Sequence, residues 1–419
     1  MRDEAMPEAV ARRSATRRAD IPPIRTLQVV LKVAERCNIN CSYCYYFNMG
    51  ETSALDRPAL INLETVGALA RWIRDGCAEL GIERVSISFH GGEPLLLKPA
   101  RFSAACALLR ETIGPVADVS FAVQTNGTII SKAWLDLFKT HRVHVGVSID
   151  GDRTANDRFR LGKDGGSTFK KVEDTIRRLV DWSGGDQALG PSTISVLDHR
   201  NDYGAVYRYL RSLGIINMSF LLPDRSHDHG FGAHEGDAEA YGRCLSDLFT
   251  AWFVEDDPDV NVRQIKEVVS HFRNTGTPVA DPPAANDMIA YQIIVAQSDG
   301  TVSVNDSLIP ALDWFKGTPR IAIADRSMPD FLANQVFGDI RRAGDSIATA
   351  CRSCDWRGLC RSGDLENRYA AANGFDNPSV YCAGYKTYYE TVCGTLLANN
   401  YPAELLEERL SRTLDTVAA

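Results

Sequence analysis

The 419-residue chain is expected to be an α/β protein built on a parallel sheet, with a second, cysteine-bearing unit behind it. Six short apolar, β-branched runs alternate with helix-length stretches, the pattern of repeated βα units. Polar and glycine-rich residues cluster just after the ends of those runs, where parallel α/β folds place their active sites. The alternation stops after residue 223, and a separate group of cysteines follows from Cys351 onward.

The runs expected as strands are Leu27–Ala34, Arg84–His90, Val119–Thr125, Val143–Ile149, Thr193–Leu197 and Ile216–Leu222. The stretches 63–79, 100–112, 131–140, 168–182 and 203–213 read as helices between them. Near-continuous hydrophobic strands separated by helices favour a sheet covered on both faces. Six such units admit either a partial barrel or a doubly wound sheet. Beyond them, Pro223–Gly236 reads as a loop, 237–273 as helical and 275–287 as a linker. A hairpin is expected from Gln292–Gln297 to Thr301–Val304 across Ser298-Asp299-Gly300, and a helical tail over 384–412.

Composition narrows the class. Hydrophobic residues make up 44% and charged residues 24%, as in ordinary globular proteins. A net charge of −8 gives no electrostatic case for a nucleic-acid partner. No apolar run approaches the roughly 20 residues of a membrane span, so no membrane partner is expected. Arg12, Arg13, Arg17 and Arg18 are not followed by an apolar h-region, and 1–24 reads as a disordered tail of a cytoplasmic protein.

Eleven cysteines are many for such a chain, and in a reducing compartment clusters of them point to metal rather than disulfides. Cys77, Cys106, Cys244 and Cys393 are scattered and read as small core residues. Cys37, Cys41 and Cys44 form C-x3-C-x2-C directly after the first strand. Three thiolates on one short loop suit three irons of a cubane and leave the fourth iron open to a small molecule bearing an amine and a carboxylate. Zinc is the competing reading, but a structural zinc site wants a fourth ligand close by, and His90 lies on another strand. Cys351-x2-Cys354-x5-Cys360, with Cys382 later, supplies four thiolates and no open position. That set fits a closed [4Fe–4S] cluster or a four-thiolate zinc site.

The first group resembles the signature of the radical S-adenosylmethionine (SAM) superfamily, CxxxCxxC with an aromatic residue before the last cysteine, here Tyr43. The likeness continues along the strand ends. Gly91-Gly92-Glu93-Pro94 is similar to the family's GGEP turn, Thr125-Asn126-Gly127 to TNG, and Ser148-Ile149-Asp150-Gly151 to SxDG. Asn156 to Arg160 is similar to HDxxR with Asn in the His position, and Leu197 sits where relatives touch the adenine. The resemblance implies a partial (β/α)6 barrel, a SAM-binding [4Fe–4S] cluster on Cys37, Cys41 and Cys44, and S-adenosyl-L-methionine as cofactor. Tyr43, Gly91, Gly92, Glu93, Thr125, Asn126, Ser148, Asp150, Arg160 and Leu197 are the residues it implies around SAM. Gly91 and Gly92 would let the backbone approach that ligand, Glu93 would grip its amino group and Arg160 its carboxylate.

Residues 290–393 resemble the SPASM or twitch extension of peptide-modifying members of that superfamily. The chain departs from the full pattern: Asp364 stands where a C-x3-C step would end, and Asn305 where an upstream cysteine is expected. The resemblance thus implies one auxiliary [4Fe–4S] cluster, on Cys351, Cys354, Cys360 and Cys382, not two. It also implies a general base at Asp306, for which a turn-capping role is the alternative. The implied division is a tail to residue 24, a barrel over 25–224, a helical connector over 225–289, the cluster unit over 290–393, and a terminal helix and tail over 394–419.

Phe220–Asp224 with His227-Asp228-His229, and Glu366–Tyr369 through Gly374–Cys382, are similar to maturases that build cyclophanes in ribosomal peptides. The implied activity joins an aromatic ring carbon to a side-chain β-carbon of a precursor peptide, with electrons from a flavodoxin- or ferredoxin-type reductant. A formylglycine-generating enzyme of the sulfatase-maturase type is the second expectation, and a non-catalytic zinc or iron–sulfur binding module the third. A metal pair at His227 and His229 is not expected, because a loop rich in Asp and Gly gives no fixed geometry.

Overall fold

The computed structural model describes residues 21–186, 189–232, 236–273 and 293–411. The tail up to residue 20, the linker 275–287, residue 292 of the expected hairpin and the C-terminal residues from 412 lie outside them.

The six expected strands form, within a residue or two of their expected limits. They are β1 (Thr26–Ala34), β3 (Arg84–Gly91), β4 (Asp118–Thr125), β5 (Val143–Ser148), β7 (Ser192–Val196) and β8 (Asn217–Leu221), with β2 (Ile39–Cys41) and β6 (Arg160–Gly162) inserted as short strands. The six pair in parallel in the order β1-β3-β4-β5-β7-β8. Parallel strands need crossovers, and these are α1 (Leu63–Leu80), α2 (Pro99–Ile113), α3 (Lys132–His141), α4 (Phe169–Ser183) and α5 (Tyr203–Ser212). The first shows how sequence sets its ends. The Asn62 side chain accepts from Thr65 N, satisfying a free N–H of the first turn, and Gly81 closes the last turn at φ +68°.

The core lies between sheet and helices. Val29, Leu31, Val85, Ile87 and Phe89 are fully buried, and the Phe89 and Phe102 rings stand 4.2 Å apart. The expected core cysteines Cys77, Cys106, Cys244 and Cys393 are all buried.

After β8 the helical stretch is two helices, not one: α6 (Ala238–Glu255) and α7 (Arg263–Phe272), separated by the short strand β9 (Asn261–Val262), which extends the sheet beside β8. The hairpin forms as β10 (Ile293–Ala296) and β11 (Thr301–Val304). It does not stand apart. β10 pairs in parallel with β1, and β12 (Ile321–Ala322) follows β11, so one sheet of ten strands runs β12-β11-β10-β1-β3-β4-β5-β7-β8-β9. The partial barrel and the C-terminal unit therefore share a backbone ladder, and Asp306, just past β11, is brought to the end of β1. The helix α8 (Gln335–Asp345) precedes the second cysteine group.

The expected single helical tail is α9 (Cys382–Ala398) and α10 (Ala403–Ser411). α9 begins at Cys382 and packs on α6 with backbones almost touching: a Cβ on Gly242 would lie 2.3 Å from Gly384 O. No helix among the described residues is long and apolar enough to cross a membrane.

Candidate active site

The cysteine loop Cys37–Cys44 leaves the end of β1 and is held by three strand-end turns. β2 pairs antiparallel with β6, setting Cys41 opposite Arg160, and Ser42 N donates to Phe159 O at 3.2 Å. The Asn126 side chain donates to Cys37 Sγ at 3.7 Å and to Asn38 Oδ1 at 2.8 Å. Asn38 in turn donates to Thr128 Oγ1 at 2.8 Å.

Gly91 and Gly92 lie where the backbone packs closely on the chain beside them. Their backbone runs against the end of β1 and the start of the cysteine loop. Gly92 N donates to Ala34 O at 2.8 Å and Glu93 N to Arg36 O at 2.9 Å. A Cβ on Gly91, at φ +128°, would lie 2.1 Å from Ala34 O, and one on Gly92 2.3 Å from Arg36 O. Only glycine permits that approach. Glu93 is fully buried and serves as a brace: Oε1 accepts from Leu95 N (3.0 Å) and Thr125 Oγ1 (2.7 Å), and Oε2 from Asn126 N (2.8 Å).

Asp150, Tyr43 and Arg160 form one buried chain. Asp150 Oδ1 accepts from Val196 N at 3.0 Å and Oδ2 from Tyr43 OH at 2.8 Å, while Arg160 donates to the same hydroxyl at 2.8 Å. Burial raises the Asp150 carboxyl, against the pull of Arg160, Val196 N and Tyr43. Arg160 Nε is buried and has no hydrogen-bond partner among the described residues. Gln124 donates to Ser148 Oγ at 2.9 Å, and Leu197 N to Leu221 O at 2.7 Å, which fixes the last two strand ends.

Both cysteine groups fit iron–sulfur clusters chemically. All eleven cysteines are free. Burial raises the Cys37 and Cys44 thiols and pushes Cys41 up to about 11, where the neighbouring cysteines oppose ionisation and Arg160 favours it. Crowded, desolvated thiols become thiolates only with a cationic centre among them. Cys351, Cys354, Cys360 and Cys382 line one narrow cavity with Tyr389 and Lys386. There burial pushes Cys360 up to about 12, with the other three thiols adding to the rise. Among the described residues no three His, Cys, Asp or Glu side chains are arranged to hold a single metal ion.

A third cluster, unseen in the sequence apart from Asp306, faces the β1 end. Lys32 is fully buried within β1. Its Nζ lies 2.5 Å from Asp306 Oδ2, donates to Tyr45 OH at 3.1 Å, and meets His90 Nδ1 at 3.2 Å. Tyr45 OH donates to Asp306 Oδ2 at 3.1 Å. Burial would raise the Asp306 carboxyl, but the Lys32 charge, with hydrogen bonds from Lys32 and Tyr45, holds it below its ordinary value. Burial, then Lys32, pushes His90 down to about 3, so the ring is neutral. The turn-capping role falls to Asn305, whose side chain accepts from Ser307 N. A lysine inside the buried apolar half of β1, between Leu31 and Val33, was the available signal for this cluster. Asp224 and Glu366 lie behind it. Burial, with Asp306 nearby, pushes Asp224 to about 7; burial, with Asp364 nearby, pushes Glu366 to about 8.

His227 and His229 each make a hydrogen bond that ties the loop down. His227 Nε2 lies 2.8 Å from Pro378 O, and His229 Nδ1 lies 2.9 Å from Ser226 Oγ.

Comparison with known proteins agrees with this geometry. Residues 31–186 match the family model of the Radical SAM superfamily. The chain is 21% identical to the cysteine-type anaerobic sulfatase-maturating enzyme of Clostridium novyi, over 88% of this chain and 95% of that one. It is 23% identical to the serine-type enzyme of Bacteroides thetaiotaomicron, over 88% and 90%. Among solved structures it is similar to native anSMEcpe with bound AdoMet and Cp18Cys peptide (TM-score 0.74, 21% identity, 90% of this chain and 100% of that one). It is also similar to Streptococcus suis SuiB bound to precursor peptide SuiA (TM-score 0.60, 13% identity, 89% and 80%). Residues 31–186 are a radical SAM domain, and the chain is an enzyme whose cofactors are S-adenosyl-L-methionine and [4Fe–4S] clusters.

Proposed function

We propose that the chain is a peptide maturase that forms a carbon–carbon crosslink, a cyclophane, between an aromatic ring and a side-chain β-carbon of a ribosomally made precursor peptide. Cys37, Cys41 and Cys44 hold the SAM-binding cluster; Cys351, Cys354, Cys360 and Cys382 hold the auxiliary one. Bound there and reduced, the first cluster would supply the electron for reductive cleavage of SAM, the chemistry that opens hydrogen abstraction from an unactivated carbon.

The chain's own residues position, shield and take up a proton. Asn126 orients Cys37, and Tyr43 ties Asp150 to Arg160 so that a buried cation with a spare Nε–H faces the cysteine loop. That group suits the SAM carboxylate. Asp306, kept ionised by Lys32, is placed to accept the proton released when a substrate radical is oxidised, the electron passing to the auxiliary cluster that the four cysteines would hold. Neutral His90 leaves that charge balance undisturbed. Electrons enter from a flavodoxin- or ferredoxin-type reductant.

The observation that carries the crosslinking reading is the interlock of the two stretches similar to cyclophane maturases. His227 N donates to Tyr369 O at 2.9 Å, Asn367 Nδ2 to Arg225 O at 2.8 Å and Tyr381 OH to Pro223 O at 2.7 Å. These bonds join the two stretches into one unit, with Asn367, Tyr369 and Tyr381 buried within it. Formylglycine formation is the second reading, favoured by the likeness to sulfatase-maturating enzymes over 88% of the chain and by Asp306, which serves either oxidation. Anaerobic co-expression with a short peptide encoded beside the gene separates them. A crosslink removes two hydrogens, about 2 Da, blocks fragmentation between the joined residues and leaves no carbonyl. A product that reacts with an aldehyde-trapping hydroxylamine would instead establish the second reading.

A further inference from the structure

Arg368 is among the largest fully buried side chains in the protein, at 1% exposure. Arginine stays charged in any protein interior, so a positive charge is fixed there. Its guanidinium has no salt bridge among the described residues. Nε donates to Phe375 O at 3.1 Å and Asn377 O at 3.2 Å, and one terminal nitrogen to Ser346 O at 3.2 Å. The carboxylate with most influence on it, Asp376, is exposed and already accepts from Thr349 N at 2.7 Å and Thr349 Oγ1 at 2.8 Å. The other groups acting on Arg368 are the thiols of Cys351 and Cys360.

A buried cation without a nearby carboxylate is costly unless another negative charge compensates it. A cluster bound by four thiolates is such a charge, and its reduced form carries one unit more. The carbonyls that Arg368 grips lie in the segments leading into Cys351 and Cys382, so the side chain also ties those two ligand-bearing strands of chain together.

We propose that Arg368 is a positioning residue that sets the reduction potential of the auxiliary cluster, its buried charge favouring the reduced form. The inference rests on the four-cysteine reading and is independent of whether the product is a crosslink or formylglycine. Burial decides between Arg368 and its neighbours. Lys386 and Arg357 line the cavity and Arg368 lies outside its lining, but Lys386 is exposed and Arg357 half-buried, so water screens both more than it does Arg368.

The test is an anaerobic potentiometric titration of the full chain in which Cys37, Cys41 and Cys44 are all Ala, so that only the auxiliary cluster responds, followed by electron paramagnetic resonance. Arg368→Gln should lower the reduced-to-oxidised ratio at a fixed potential at least tenfold, about 59 mV for a one-electron couple. Arg368→Lys should restore most of it, and Lys386→Gln should change it less than threefold. An unchanged potential in Arg368→Gln at full iron content would overturn the proposal. So would an equal fall in Arg368→Lys, which would assign the effect to the hydrogen-bond fork. If Arg368→Gln takes up no iron, Arg368→Lys decides: iron content and potential near those of the parent support the charge, and failure of both to assemble contradicts it. No cluster signal with Arg368 intact would remove the four-cysteine premise itself, and the proposal with it.

Discussion

Lys32 and Asp306 form a buried ion pair, Nζ to Oδ2 at 2.5 Å, that joins the first strand of the barrel to the turn after β11. The pair is separated by most of the sequence and depends on the parallel pairing of β10 with β1. It places a carboxylate of depressed pKa beside the strand end from which the cysteine loop departs. Removing one partner of such a pair leaves the other charge buried alone, which costs about 3–5 kcal/mol. Lys32→Met should therefore lower the melting temperature by many degrees. In any folded fraction the acid limb of the pH–rate profile should move upward, because Asp306 loses its cation. An unmoved limb would show that Asp306 takes no proton in the reaction.

Asp306→Asn keeps the shape of that site and removes its basicity. SAM cleavage should continue, whereas product should fall roughly 10²–10⁴-fold, the usual worth of a general base. The check is to measure 5′-deoxyadenosine and modified peptide in the same reaction. Parallel loss of both would assign Asp306 to cofactor binding instead.

His90 gives a pH signature of its own. Its folded pKa is depressed to about 3 by burial and by Lys32, against an ordinary value of about 6.5. Between those values the unfolded chain binds a proton that the folded chain refuses. The associated stability is complete above pH ~6.5 and is lost as pH falls toward about 3, by up to about 1.4 kcal/mol per unit. Asp306 adds to the acid loss below pH ~4, since its folded pKa is also depressed. Denaturant midpoints at pH 7 and pH 5 should therefore converge in His90→Gln relative to the wild type.

Gly91→Ala tests the close passage of backbone at the base of the cysteine loop. The added Cβ would meet Ala34 O at 2.1 Å in a left-handed conformation, so both the sheet end and the loop must shift. Reconstituted iron should fall by about half, as the first cluster is lost and the auxiliary one is kept. Full iron with intact SAM cleavage would mean that the approach is dispensable.

Most of the barrel was legible in the sequence, because apolar residues recur along each strand, as Val85, Ile87 and Phe89 do in β3, and some crossover helices carry readable caps. Asn62 and Gly81 at the ends of α1 show this directly. The short strands β2 and β6 were not legible. Three residues give no periodicity, and their pairing is set by Cys41 meeting Arg160 across the site. The joining of β10 to β1 was also invisible, since a hairpin pattern says nothing about which sheet edge it will extend. In the site, the structure brings Cys351, Cys354, Cys360 and Cys382 to one cavity and gathers the strand-end turns around the loop of Cys37, Cys41 and Cys44. What the sequence did not reveal is how they are braced: Gly91 and Gly92 pack against Ala34 and Arg36, and Glu93 accepts from Leu95, Thr125 and Asn126. Lys32, Tyr45 and His90 were missed as a group because their partnership with Asp306 exists only after folding.

In the proposed reading Cys37, Cys41 and Cys44 hold a cluster whose vacant iron receives SAM. It is tested most directly by reducing the anaerobically reconstituted protein with dithionite in the presence of SAM and measuring 5′-deoxyadenosine by liquid chromatography. Wild type and Cys354→Ala should both produce it, and Cys41→Ala should not. Formation of 5′-deoxyadenosine by Cys41→Ala at the wild-type rate, or none from a wild-type protein carrying its full iron, would contradict the account.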